Sequence, residues 1–222
     1  MAGLGQRGHS ETDLPTQAQQ SGIIMKNIAS SILLIAVLLF SSLVNADAPP
    51  LREKYAVDWF VESCLKHAGN IAKLADWASS RKLTPLTNDV AKVFLLGSPG
   101  RGWSASNHSG KYAIVMREDG LCTVFTRRAK PQSTRKYFFE VLNRLLPESK
   151  VDRTEYTKKK RLKKGFLETT HFFFSKEGSK KVLDIVISTS SSIEGNYQVA
   201  MSTKLCIQTP NKKLLPTGCT DN

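Results

Sequence analysis

The residue pattern predicts an α+β domain, with helices first and then an antiparallel sheet in the order ββαβββ, covered by helices. Three observations carry this. Apolar residues recur at helical spacing through the first forty or so residues after position 47, an Asp119-Gly120 pair separates two alternating segments, and three strand-like runs with short connections close the chain.

Residues 57–68 set Val57, Phe60, Val61, Cys64, Leu65 and Ala68 on one helical face, and Gly69 ends that helix. Asn70 caps a second helix with Ile71, Leu74, Ala75 and Ala78 inward. Thr87 caps a short third one carrying Val90, Val93 and Phe94. The run Gly97-Ser98-Pro99-Gly100-Arg101-Gly102 reads as a turn-forming linker before the sheet.

Segments 112–117 and 121–127 flank Asp119-Gly120 as a hairpin. A two-residue turn places Ile114 opposite Phe125, Val115 opposite Val124 and Met116 opposite Thr123, with Tyr112, Ile114, Met116 and Phe125 facing the core. Residues 132–146 form a helix with Phe138, Val141, Leu142 and Leu145 on one stripe, stopped by Pro147. Strands at 166–174, 181–189 and 197–207 follow as a meander, and 151–157, with alternating charges, adds an edge strand. PAS-like and profilin-like sensor domains share this element order, an analogy of fold that carries no ligand or chemistry.

Ahead of the domain, residues 25–46 (MKNIASSILLIAVLLFSSLVNA) read as a secretory signal peptide: Lys26 is the positive start, 32–40 the apolar run and 41–46 the small or polar cleavage region. Cleavage after Ala46 is favoured over cleavage after Ala48, which would put Pro49 just past the cut. An uncleaved inner-membrane anchor over 28–44 is the alternative, at the short limit for a span. The polar residues 1–24 show no periodicity and fit an extension ahead of a start at Met25, so 47–222 is expected to be a single domain, periplasmic or secreted.

The chain holds 32 Lys and Arg against 19 Asp and Glu, and removing 1–46 takes two of each sign, leaving the net charge of +13 on the mature part. That balance favours anionic lipid, lipopolysaccharide or an acidic protein as partner. The concentrated feature is Lys158-Lys159-Lys160-Arg161-Leu162-Lys163-Lys164, six cations in seven positions, placed on a loop before the Phe166 strand. Each cation contributes on the order of 1 kcal/mol near an anionic bilayer. A solvated basic loop is the plainer reading, and the lack of interleaved aromatics argues against nucleic acid.

Four cysteines, Cys64, Cys122, Cys206 and Cys219, make an even count for an oxidising compartment. Three connectivities are open. Cys64 with Cys122, tying a helix to the sheet, and Cys206 with Cys219, pinning the tail, are preferred.

Chemistry is thinly marked. Arg101 beside Trp103 offers an anion contact, although a core Trp103 is the simpler reading. Ser104, Ser106 and Ser109 lie near His108, but sequence neighbours seldom align as nucleophile and base, and no Gly-x-Ser-x-Gly elbow occurs. Cys64-x-x-His67 has metal-ligand spacing that a disulfide at Cys64 would remove. His171 reads as a core or edge histidine, and Phe166, Phe172, Phe174 and Tyr197 as either a packed core or an apolar pocket. No cofactor is implied.

The stretches FVESCLKHAGNIAKLADWAS, FLLGSPGRGWSAS and GKYAIVMREDGLCTVFTRRA, with the helix near Tyr137, resemble a family of uncharacterised exported proteins and lipoproteins of Gram-negative bacteria. The similarity spans about 59–146, marked by Cys64, Gly100, Arg101, Trp103, Gly120 and Cys122. The resemblance implies export and supports pairing Cys64 with Cys122. It implies no activity and supplies no catalytic residues; this chain lacks a lipidation cysteine, and the lysine run is its own feature. The expectation is a non-enzymatic binding or accessory module at the cell envelope. The alternatives are an envelope hydrolase using the 104–110 loop and a secreted factor acting on host membranes or proteins.

Overall fold

A computed structural model describes residues 50–147, 151–192 and 197–207. The predicted leader, its alternative anchor and Cys219 lie outside the described residues. Among those described, no helix is long and apolar enough to cross a membrane.

The domain is mixed α/β, with four α-helices and one eight-stranded antiparallel sheet. In chain order the elements are α1 (Leu51–Phe60), a π-helical turn (Val61–Leu65), α2 (Ile71–Ser80), β1 (Thr84–Pro85), α3 (Asn88–Leu95), β2 (Gly100–Asn107), β3 (Gly110–Arg117), β4 (Cys122–Thr126), α4 (Pro131–Leu145), β5 (Asp152–Leu162), β6 (Gly165–Ser175), β7 (Lys181–Ser190) and β8 (Val199–Ile207). The sheet order is β1-β2-β3-β4-β8-β7-β6-β5. The observed order is therefore longer than the expected ββαβββ, because β1 and β2 precede the hairpin and β5 is a full strand.

Alternation divides the sheet residues between two faces. Trp103, Ile114, Val124, Met201, Ile187 and Thr170 lie on one row of cross-strand partners. This face shares a buried cluster with Ala56, Val57 and Phe60 of α1, Leu74 and Ala78 of α2, and Phe138, Val141 and Leu142 of α4. Rings knit it together: Phe138 lies 5.6 Å from Phe60 and 6.2 Å from Phe172 between centroids. Leu145, expected on the same stripe, is 45% exposed at the last position of α4.

The Asn70 cap forms, its side chain accepting from the Lys73 N–H at 3.0 Å. Thr87 occupies the N-cap position of α3 without a side-chain bond. The α4 N-terminus is served from a distance: its cap residue Lys130 donates its backbone N–H to Glu53 Oε1 of α1, whose side chain is buried. An acidic group at a helix N-terminus satisfies an orphan donor and opposes the helix dipole. Neighbouring Arg52 ties the same corner, donating to the Ser109 and Arg128 carbonyls at 2.6 and 3.0 Å. Tyr112 donates to the Arg52 carbonyl, and burial pushes its phenol up to about 12.

The hairpin departs from its expected register by one residue. Ile114 faces Val124, Val115 faces Thr123 and Met116 faces Cys122. Arg117 donates its N–H to the Leu121 carbonyl, so three residues, 118–120, make the turn, with Gly120 at φ +85° and its N–H bonded to the Arg117 carbonyl. A turn ending in a left-handed glycine adds a residue that a two-residue turn lacks, and a single-residue slip exchanges the faces. Phe125 thus leaves the main core and packs on the opposite face with Val115, Ala91, Phe94 and Leu95.

The glycine-rich run at 97–102 is a linker only in its first half. Gly100 opens β2, and a Cβ on Gly102 would come within 2.9 Å of both Leu86 and Val115. Glycine in a strand interior here marks close approach of another chain segment, the β1–α3 connection crossing over β2.

Candidate functional site

The short helix α3 crosses the sheet face opposite α1 and α4, and it covers only part of it. Ala91 and Leu95 are buried against Val115, whereas Val90, Val93 and Leu96 are 45, 60 and 86% exposed. The pattern predicted Val90, Val93 and Phe94 as the inward residues; Phe94 packs against this cluster and the two valines do not. The buried pair is set instead by how α3 crosses the sheet, which the helical period alone does not specify.

Beside α3 lies a groove of about 830 Å³. Leu86, Val90, Val93 and Phe94 form one wall, and Phe125 and Tyr197 the other. The rings of Phe94 and Phe125 are 5.2 Å apart and those of Phe125 and Tyr197 4.6 Å. Lys111 and Arg127 also line it, with Asp89 from the first turn of α3. Tyr112 and Thr126 are the last pair of the β3–β4 ladder, and Lys111 and Arg127 are the residues next to that pair, Arg127 lying just past β4. Neither cation is ion-paired among the described residues.

The lysine run is strand rather than loop through Leu162. Lys158, Lys159, Lys160 and Arg161 belong to β5, the outermost strand, and Lys163 and Lys164 form its turn into β6. Lys159 lies 3.9 Å from Glu168 and 5.1 Å from the Phe166 ring centroid. Lys158, Lys160, Arg161 and Lys163 have no carboxylate within salt-bridge distance among the described residues. A charged edge also blocks strand-to-strand aggregation, which gives the run a structural use whatever its partner.

The other candidates separate. Arg101 is exposed on β2 and away from the groove, while Trp103 is buried in the core. Ser104 lines the groove, but the His108 ring packs edge-on against Tyr55 of α1 at 5.7 Å, and Ser109 Oγ is buried without a hydrogen-bond partner among the described residues. Among the described residues no hydrogen bond joins His108 to Ser104, Ser106 or Ser109.

Cys64 and Cys122 are bonded, with Cα atoms 5.2 Å apart, so the Cys64 sulfur is not available as a thiolate ligand. Cys206 is also disulfide-bonded. Burial, followed by Lys66 and Lys73, holds the His67 pKa below its usual value. Among the described residues no three His, Cys, Asp or Glu side chains cluster as metal ligands.

His171 stacks on Phe173, with Nδ1 3.3 Å from Asp184 Oδ1. Phe172 and Phe174 fill the main core, Phe166 is exposed and Tyr197 joins the groove, so these four share no pocket. No protein family, curated protein or solved structure matches this chain.

The groove was not visible to sequence reasoning. Its parts come from α3, β3, β4 and the segment before β8. The available signal was two valines on a short helix with no evident partner.

Proposed function

We propose that the chain is exported and acts as a disulfide-stapled, non-enzymatic binding module at the cell envelope, docking on anionic lipid or lipopolysaccharide phosphate through β5. The observation that carries this is the exposed edge strand and its turn into β6, where Lys158, Lys160, Arg161 and Lys163 have no acidic partner among the described residues, on a chain of net charge +13. The resemblance of 59–146 to exported proteins supports the compartment. Reversible docking of this kind weakens with salt, since exposed charges are screened over about 8–10 Å at physiological ionic strength.

Flotation with phosphatidylglycerol vesicles tests the docking. The protein is expected to float with them at low salt, to be released at high salt, and to ignore phosphatidylcholine vesicles. Lys158→Glu, Lys160→Glu and Lys163→Glu together should lower the partition at least about tenfold, given roughly 1 kcal/mol per cation. A triple variant that floats as well as the parent would sink the proposal; so would capture by an acidic protein but not by vesicles.

Export has its own test. The intact mass of native protein, alkylated without reduction, is expected to match a chain beginning at Asp47 with no alkylated thiol. A chain that retains 25–46, with alkylated cysteines, rejects it.

A further inference from the structure

We infer that the groove between α3 and the β3–β4 face binds one long-chain fatty acid, its alkyl tail between α3 and the Phe125–Tyr197 wall and its carboxylate between Lys111 and Arg127. This site lies apart from β5, and the inference stands independently of the docking proposal.

Size and lining fit such a ligand. A volume of about 830 Å³ lies in the range of roughly 300–1,000 Å³ in which proteins hold small molecules, and sites of that kind are mostly apolar with a few polar groups that fix orientation. Here Val90, Val93, Phe94, Phe125 and Tyr197 supply the apolar length. Val93 at 60% and Val90 at 45% exposure leave apolar helix surface in water, which a hydrocarbon chain would cover.

Charge selects the head group. Lys111 of β3 and Arg127, the residue just past β4, line the same groove, with no acid paired to either among the described residues. Like charges lining one groove repel. A carboxylate between them converts that repulsion into two charge-assisted hydrogen bonds, with the Arg127 guanidinium able to bind both oxygens. Asp89, on the helix side of the lining, makes no ion pair with either cation. A cationic amphiphile would add a third positive charge to those of Lys111 and Arg127.

Calorimetric titration of the native protein with palmitate below its aggregation threshold tests the inference, with hexadecanol as uncharged control. One palmitate per chain is expected, and hexadecanol should bind at least about tenfold more weakly, the worth of one charge-assisted contact. Lys111→Glu with Arg127→Glu should weaken palmitate by at least about tenfold. Val93→Asp, a change at an exposed position, should abolish binding while circular dichroism stays at the parent's. Lys158→Glu, Lys160→Glu and Lys163→Glu should leave palmitate binding unchanged. The inference is overturned by absence of saturable binding, by equal affinity for hexadecanol, or by equal losses in the β5 variant. Sedimentation provides a further check: a parent dimer that Val93→Asp dissociates would make the groove a contact between copies and overturn the ligand assignment.

Discussion

Replacing Cys64 and Cys122 together with alanine is expected to lower the unfolding free energy by about 4 kcal/mol, the loop-closure entropy of a cross-link spanning 58 residues. Both cysteines are fully buried, one in the π-helical turn after α1 and the other at the start of β4. The bond restrains an unfolded chain that would otherwise separate the helical segment from the hairpin. Two signatures follow. The guanidinium transition should shift to lower denaturant, and its slope should steepen, because a chain freed of the cross-link exposes more surface. With native stabilities of about 5–15 kcal/mol, such a loss removes a large share of the total. A loss below about 1 kcal/mol would mean that the bond does not restrain the unfolded chain as this geometry requires.

Phe138→Ala is expected to cost about 3–5 kcal/mol, the usual range for removing a buried aromatic ring. Phe138 is fully buried, where α4 meets α1 and β6, and touches Phe60, Phe139 and Phe172. None of these neighbours can close the space without moving a helix off the sheet. Leu145→Ala, two turns along the same helix, should fall within about 0.5 kcal/mol, as surface substitutions do. Denaturation of both variants checks the pair. Equal costs at the two positions would place the α4 core face differently from the one described.

That contrast shows how far local pattern reached. The 3.6-residue period found Phe138, Val141 and Leu142, and the Asn70 cap and Pro147 stop marked helix ends that formed nearly where expected. Three strands near the C-terminus were legible from β-branched and aromatic runs with short connections. β2 was hidden because glycine and serine dominate it, and they serve close packing under the β1–α3 connection instead of strand propensity. β5 was cut short at its lysines, since like charges along a strand look like a loop until one sees that the strand is an edge with solvent on both faces.

The candidate sites divide in the same way. The basic run and the four cysteines are contiguous or countable features, so residue order alone exposes them, while it leaves three connectivities open, of which the preferred Cys64 with Cys122 is the one that forms. The groove joins residues as far apart as Leu86 and Tyr197, and its existence rests on a register slip at Gly120 that turned Phe125 away from the main core.

Residue order by itself determined the mixed helical and antiparallel composition, the helix faces at Phe60, Leu74 and Phe138, the charge of the β5 strip and the count of cysteines, because periodicity, capping and charge act over a few neighbours. Tertiary structure alone decided which residue lies opposite which, which face α3 covers, how Glu53 reaches the start of α4, and that Lys111 and Arg127 line one groove. These depend on single-residue register and on helix crossing, which are fixed by packing between segments distant in sequence and leave no periodic trace in either one.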